Sequence, residues 1–215
     1  MRTIIIAFTQ PGLQLAKKAA QNTEGTVEIY GHERCTDGTI HSFYSVGEVI
    51  KEQFYQCDRI LFIGAAAIAV RVIAPYLKSK TTDPAVLVLD ELGRFVIPVL
   101  SGHIGGANVL AEKLAQKLGA TPVITTATDI NGRFSVDAWA AKNGYCLSGL
   151  SEAKAVSAAI LEENVPLKSD FPVIAPLPSG LVMGETGTVG IYVGFRKQKP
   201  FEKTLTAIPR ILHLG

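Results

Sequence analysis

The sequence predicts an α/β protein with a Rossmann-like sheet, mixed but mostly parallel, that carries helices on both faces and is followed by a smaller α+β domain. Two observations predict this class. Apolar runs such as residues 3–8 and 59–63 lack a polar alternation, which is typical of strands buried on both faces. Amphipathic segments such as residues 107–118 separate these runs, and alternating strands and helices favour a doubly wound sheet.

Strands and helices alternate through residues 1–130, which we interpret as an N-terminal α/β domain. The predicted strands are residues 3–8, 26–30, 59–63, 85–89, 94–100 and 121–125, and the predicted helices are residues 13–20, 46–55, 65–77 and 107–118. Leu92 and Gly93 lie between two of the strands and predict a hairpin. One strand therefore runs antiparallel to the others, which makes the sheet mixed.

Residues 131–209 are predicted to form the smaller α+β domain. Its predicted helices are residues 135–143 and 151–163, and its predicted strands are residues 171–174, 180–183 and 189–195, before a charged linker at residues 196–203. The apolar residues 210–215 are interpreted as the start of a further C-terminal domain.

Composition excludes several classes of function. The formal net charge of the 215 residues is only +2, without the basic stripe that a nucleic-acid partner requires. The apolar run of residues 60–70 is interrupted by Arg71 and is too short to span a bilayer. The three cysteines are scattered and odd in number, so we expect no disulfide framework and a reduced, cytoplasmic location.

Three polar clusters, at residues 64–67, 101–108 and 125–129, each follow a predicted strand. Ligands of open α/β sheets collect beyond the carboxyl ends of strands, and helix N-termini there can bind an anion. Glycine lets the backbone approach a ligand closely, although tight turns alone explain these glycines equally well. The spacing matches neither the dinucleotide fingerprint nor the P-loop, so a nucleotide-binding domain is a weaker alternative.

Individual side chains add chemistry to these clusters. His103 lies in a glycine-rich loop and can act as a general base near neutral pH, although capping of the loop explains it as well. Residues 80–84 gather an ammonium, two hydroxyls and a carboxylate in a connector that could also be merely solvated. Arg71 interrupts an apolar helix and is suited either to a substrate carboxylate or to an internal ion pair.

A zinc site is a minor alternative. His32, Cys35 and His41 have a spacing that can ligate zinc, but a fourth ligand is absent nearby in the sequence. Covalent catalysis has little support, because none of the cysteines has a base that the sequence identifies.

Four segments in this order resemble the CbiG family, the cobalt-precorrin 5A hydrolases of anaerobic cobalamin biosynthesis. They are GAAAIAVR at residues 64–71, KTTDPAV at residues 80–86, LSGHIGGAN at residues 100–108 and TTATD at residues 125–129. The resemblance implies hydrolytic opening of the δ-lactone of the macrocycle, with release of acetaldehyde to give cobalt-precorrin 5B. It also implies that cobalt arrives in the substrate, so no protein cofactor or metal is expected.

On this resemblance, we expect His103, Asp83 or Asp129 to activate water for the hydrolysis. The other predicted site residues would bind substrate carboxylates or the oxyanion: Gly64, Ala65, Arg71, Lys80, Thr82, Ser101, Gly102, Gly105, Gly106, Asn108, Thr125 and Thr126.

A second hypothesis is that the chain only binds the tetrapyrrole, while the chemistry needs the C-terminal domain predicted to begin at residues 210–215. In either case the expected partner is a small-molecule tetrapyrrole, without nucleic acid or membrane. A homodimer and contacts with other enzymes of cobalamin synthesis are both open.

Overall fold

The computed structural model describes residues 1–36, 38–173, 176–196 and 198–210, apart from the side chain of residue 141. Within it the chain divides into two compact units, the first spanning Met1–Ile124 and the second beginning at Thr125. Each unit has its own sheet and its own hydrophobic core, and each is described by itself.

Seven strands form the sheet of the first unit, in the order β3-β2-β1-β4-β5-β6-β7. They are β1 (Arg2–Ala7), β2 (Thr26–His32), β3 (His41–Phe43), β4 (Arg59–Ile63), β5 (Ala85–Leu89), β6 (Phe95–Leu100) and β7 (Thr121–Pro122). All neighbouring strands are parallel except β5 and β6. The predicted hairpin at Leu92 and Gly93 is thereby confirmed, as is the mixed, mostly parallel sheet.

Helices cover both faces of this sheet, as predicted. They are α1 (Gln10–Gln21), α2 (Val46–Gln53), α3 (Ala66–Ile73), which continues as a 3-10 turn (Ala74–Tyr76), and α4 (Ala107–Leu118). In β1, Ile5 packs in one core with α1 and α4, whereas Ile4 packs in the other with α2 and α3. Burial of both faces explains why the central strands are continuous apolar runs.

The second unit is built on a five-stranded sheet in the order β10-β9-β11-β12-β8. Its elements are α5 (Ala127–Ile130), α6 (Val136–Asn143), β8 (Tyr145–Leu147), α7 (Leu150–Glu162), β9 (Val165–Ser169), β10 (Leu181–Met183), β11 (Val189–Val193) and β12 (Lys203–Pro209). Among the described strands of this sheet, only β8 and β12 pair in the antiparallel sense. Val156 and Ile160 of α7 are fully buried in the core of this unit.

Several predicted boundaries are wrong. Residues 171–173 form no strand; the strand in this region is β9, where Pro166 obscures the alternation of the buried Val165 and Leu167. β7 ends at Pro122 instead of residue 125, because only its first residues pair with β6. Residue 174 lies outside the described residues, and so do residues 211–215, where the further domain is predicted to start.

Candidate functional site

The position of the glycine-rich loop at residues 101–106 follows from the direction of β6, which runs antiparallel to β5. Leu100 pairs with Val86 near the start of β5, so this loop follows β6 at the amino edge of the parallel strands. Gly64 instead follows β4 at the carboxyl edge. A five-residue strand is roughly 16 Å long, which separates the two clusters. The prediction that polar clusters collect beyond the carboxyl ends of the parallel strands is therefore wrong for residues 101–106.

A cleft of about 290 Å³ opens at this amino edge, entirely within the first unit. We call it the amino-edge cleft. Its lining residues are Met1, Cys57, Asp58, Arg59, Lys80, Thr81, Thr82, Asp83, Pro84, Ile104 and Gly105. Two of the predicted motifs, residues 80–84 and residues 101–106, thus meet in one concave site.

Asp83 shapes one wall of the amino-edge cleft. Its carboxylate is buried and accepts hydrogen bonds from the backbone N–H of Lys78, at 3.0 and 3.2 Å, and of Ser79, at 3.1 Å. These bonds close the turn that carries Lys80 to the cleft. Backbone donors thus engage both carboxylate oxygens, which favours a structural role for Asp83 over the predicted role as a base.

Ser101 begins the other wall in an unusual backbone conformation. Its φ is +55°, a left-handed value that costs a residue with a side chain about 1–2 kcal/mol. The side chain is buried and its hydroxyl donates to the carbonyl oxygen of Asp83 at 3.0 Å. A hydroxyl engaged in this way is not available to an oxyanion, contrary to the role predicted for Ser101.

Close packing explains two glycines of this loop. A Cβ on Gly105 would lie 2.5 Å from the Cβ of Ser101 and 2.8 Å from its carbonyl oxygen. A Cβ on Gly102 would lie 2.7 Å from Oδ1 of Asn108, whose side chain is buried. The two glycines are therefore required for the loop to fold against the start of α4.

The N-terminus of α4 is largely satisfied by its own loop. The N–H of Ala107 donates to the carbonyl of Ser101 at 3.2 Å, and the N–H of Asn108 donates to that of Gly102 at 3.0 Å. Gly106 is left-handed, with φ +78°, and its N–H donates to the carbonyl of His103 at 3.1 Å. The N–H groups of Gly106, Ala107 and Asn108 therefore already have acceptors within the loop. His103 is half-buried and immediately precedes Ile104 of the cleft lining.

The structure places Gly64, Ala65 and Arg71 away from this cleft. Gly64 lies at the carboxyl edge, where its N–H donates to the carbonyl of Leu89 at 2.9 Å, and Ala65 is the exposed N-cap of α3. Arg71 is exposed in the last turn of α3. The sequence gives no signal for a neighbouring contact at this edge, in which the hydroxyl of Thr9 donates to Glu91.

The threonine-rich segment belongs to the second unit. Thr125 is exposed, and Thr126 is the N-cap residue of α5. The N–H of Asp129 donates to the carbonyl of Thr126 at 3.0 Å, and the Asp129 residue is exposed. The roles predicted for these residues stay predictions.

The His32, Cys35 and His41 set does not assemble into a ligand cluster. The thiol of Cys35 donates to the carbonyl of His32 at 3.1 Å, while the ring of His41 stacks on Tyr30 with centroids 4.9 Å apart. Among the residues that the structure describes, no group of three or more His, Cys, Asp or Glu side chains could hold a metal ion. In the same part of the chain, no helix is long and apolar enough to cross a membrane.

The sequence analysis did not predict that Cys57, Asp58 and Arg59 line the cleft. Burial raises the pKa of the Cys57 thiol to about 11, so this thiol is neutral at physiological pH. Arg59 is a charged residue at the start of an otherwise buried strand. That position is a signal in the sequence, because a cation beside a central strand needs a reason to be there.

Comparison with known proteins agrees with this grouping of motifs. A family model described as cobalamin synthesis G N-terminal matches residues 48–129, a range that contains all four family segments. A curated cobalt-precorrin-5A hydrolase from Salmonella typhimurium is 40% identical over 149 residues. The chain belongs to the CbiG family.

Other relatives of this CbiG-family chain are similar to it over a comparable length. A cobalt-precorrin-5A hydrolase from Priestia megaterium is 35% identical over 166 residues. These alignments cover 69% and 74% of the chain but only 42% and 44% of the Salmonella and Priestia proteins. The chain therefore spans less than half the length of these curated relatives.

A solved structure supports the fold of the CbiG-family chain. The crystal structure described as a cobalamin biosynthesis protein G homolog from Sulfolobus solfataricus matches with a TM-score of 0.56 and 23% sequence identity. The match covers 97% of this chain and 60% of that one. Together with the observed strand order, it confirms the predicted α/β class.

Proposed function

We propose that this CbiG-family chain takes part in the hydrolysis of cobalt-precorrin 5A, opening its δ-lactone and releasing acetaldehyde to give cobalt-precorrin 5B. The reaction class comes from the curated relatives, which are named cobalt-precorrin-5A hydrolases. The observation that supports it in this chain is the amino-edge cleft, which brings together residues 80–84 and the loop at residues 101–106.

The proposed chemistry begins with attack of water on the lactone carbonyl carbon. His103 takes a proton of this water as a general base, and the tetrahedral oxyanion then collapses as the ring C–O bond breaks. The protonated His103 returns its proton to the leaving oxygen, which becomes an alcohol, and the new carboxylic acid ionises to a carboxylate. Lys80, an exposed cation in the lining of the cleft, stabilises the negative charge. The neutral His103 then takes the alcohol proton, and the adjacent C–C bond breaks in a retro-aldol step that releases acetaldehyde and leaves the electron pair of that bond on the macrocycle.

Cobalt enters this proposal as part of the substrate and not as a resident cofactor. The second candidate function is binding of the tetrapyrrole without chemistry. One observation favours binding without chemistry: the carboxylate of Asp83, one of the candidate bases, is hydrogen-bonded to backbone N–H groups.

The test is to incubate the purified 215-residue chain with cobalt-precorrin 5A and to measure both acetaldehyde and ligand binding. Release of acetaldehyde with multiple turnovers supports the hydrolase. Binding without acetaldehyde supports the tetrapyrrole-binding function instead, and absence of both contradicts the two proposals together.

A further inference from the structure

Arg59 occupies an unusual position for an arginine. It is the first residue of β4, a strand in the middle of the sheet between β1 and β5, and the four residues that follow it are buried. Arg59 itself is half-buried and lines the amino-edge cleft. Within the described ranges, no hydrogen bond, ion pair or ring contact of its guanidinium is found. A partly desolvated cation without a counter-charge is costly unless a ligand supplies one.

The acidic groups that line the cleft are engaged elsewhere. The carboxylate of Asp58 accepts a hydrogen bond from the backbone N–H of Arg2 at 2.7 Å, and that of Asp83 holds the turn beginning at Lys78. The thiol of Cys57 is neutral, because burial raises its pKa. Among the residues that the structure describes, none of the three forms an ion pair with Arg59.

A second cationic side chain lines the same cleft. Lys80 is exposed on the loop that forms one wall of the cleft, whereas the hydroxyls of Thr81 and Thr82 are hydrogen-bonded to Ser79 within that loop. A guanidinium binds a carboxylate through two parallel N–H donors, and an ammonium adds a point charge. This combination of donors is suited to an oxyanion.

The size of the cleft limits what enters it. Its volume of about 290 Å³ is just below the roughly 300–1,000 Å³ found for sites that enclose whole drug-sized ligands. One carboxylate-bearing arm fits such a volume, while the macrocycle that carries the arm stays outside.

We propose that Arg59, assisted by Lys80, binds one carboxylate arm of a polycarboxylate macrocycle in the amino-edge cleft. The identity of that arm as an acetate or propionate group of a cobalt-precorrin rests on the proposed function. Arg59 is a substrate-positioning residue in this scheme, because a ring anchored at one arm is oriented relative to the loop that carries His103.

The experiment uses uroporphyrin as the probe, because its pyrrole rings carry acetate and propionate groups. Binding is measured by isothermal titration calorimetry for the wild-type chain and for Arg59→Gln, Arg59→Lys and Arg34→Gln. Arg34 is an exposed arginine outside the cleft lining and serves as the matched control. Circular dichroism and thermal melting check the fold of each variant.

We expect Arg59→Gln to weaken binding about 10-fold or more, since hydrogen bonds to charged groups contribute on this scale. Arg59→Lys keeps the charge without the paired donors and should lose about threefold, while Arg34→Gln stays within about twofold. Equal binding by Arg59→Gln and wild type, an equal loss in Arg34→Gln, or no binding of uroporphyrin by wild type would each overturn the proposal.

A kinetic measurement separates this proposal from the proposed function. With cobalt-precorrin 5A, Arg59→Gln should raise KM for acetaldehyde release about 10-fold while changing kcat less. A wild-type chain that binds uroporphyrin through Arg59 but releases no acetaldehyde contradicts the hydrolase and leaves the carboxylate site intact. A release of acetaldehyde that is insensitive to Arg59→Gln contradicts the site and leaves the hydrolase intact.

Discussion

The hydroxyl of Ser101 donates to the carbonyl oxygen of Asp83 at 3.0 Å, and this bond joins the two walls of the amino-edge cleft. The two residues are 18 positions apart in the chain and are separated by the β5–β6 hairpin. Asp83 also closes its own turn through its side chain. One residue thus holds both segments, so a change in either wall is expected to affect the other.

Substitution of Ser101 tests the bond and the backbone strain separately. Both Ser101→Ala and Ser101→Gly remove the hydroxyl and leave a buried carbonyl with one donor fewer, which costs about 1–2 kcal/mol. Only glycine relieves the left-handed φ, so Ser101→Gly should be more stable than Ser101→Ala by about 1 kcal/mol. Urea unfolding followed by circular dichroism measures both values. Equal stability of the two variants would show that the position is not strained.

Gly105→Ala should damage the cleft more than an ordinary glycine substitution does. The new methyl would overlap the Cβ and the carbonyl oxygen of Ser101, and the expected destabilisation is about 2 kcal/mol or more. Gly47→Ala is the control, because its new Cβ would meet nothing closer than 3.5 Å and it lies in helix α2. Alanine favours the helix, so the control should gain up to about 1 kcal/mol. Thermal unfolding compares the two, and similar melting temperatures would contradict the tight packing at Gly105.

Asp90 gives the hairpin turn a predictable dependence on pH. Burial alone would raise the pKa of Asp90, but hydrogen bonds from the backbone of Phe95 and from Arg94 outweigh it and lower the pKa below the ordinary value. The carboxylate therefore stabilises the fold above the ordinary pKa of roughly 3.9, and this contribution is lost as the pH falls through the lowered value.

The variant Asp90→Asn should accordingly lose about 1 kcal/mol of unfolding free energy at pH 7 and progressively less below about pH 4. Urea titrations at pH 7, 5 and 3 measure this difference. Glu91→Gln at the same turn is a control with another carboxylate removed. A constant difference for Asp90→Asn at all three pH values would contradict the assignment.

His103→Ala should reduce acetaldehyde release by about 100-fold if His103 is the general base, a typical contribution of such a group. The control is His41→Ala, because His41 lies on β3 outside the amino-edge cleft. Binding of uroporphyrin should stay within about twofold in both variants. An undiminished rate in His103→Ala would remove this residue from the role, and the exposed Asp129 would be the next candidate to test.

Local patterns account for most of the fold that the sequence predicts. The apolar runs of β4 and β5 are long enough to predict both strands to the residue, and Gly119 marks the end of α4 by its left-handed φ of +72°. Such signals lie within a few neighbouring residues. Where a local signal is misleading, the prediction is wrong, as at Pro166 inside β9.

Contacts between distant segments account for what the sequence could not predict. The motif residues can be identified from the sequence. Their position cannot, because β6 pairs antiparallel to β5 and so carries the loop at residues 101–106 to the amino edge of the parallel strands. The contact of Ser101 with Asp83 and the contribution of Arg59 to the cleft follow from that pairing. Hydrophobic periodicity identifies which residues are buried. Which residues lie next to each other across the sheet depends on the strand order and register, which periodicity does not give.

The β5–β6 turn is a suitable position for attaching a label. Leu92 is exposed at the carboxyl edge, roughly one strand length from the amino-edge cleft. A fluorophore or a surface tether attached through Leu92→Cys, in a chain whose exposed Cys146 is replaced by serine, would therefore leave the cleft accessible to a macrocycle. Immobilised in this orientation, the chain presents its candidate site outward, which suits surface-based measurement of ligands too scarce for calorimetry.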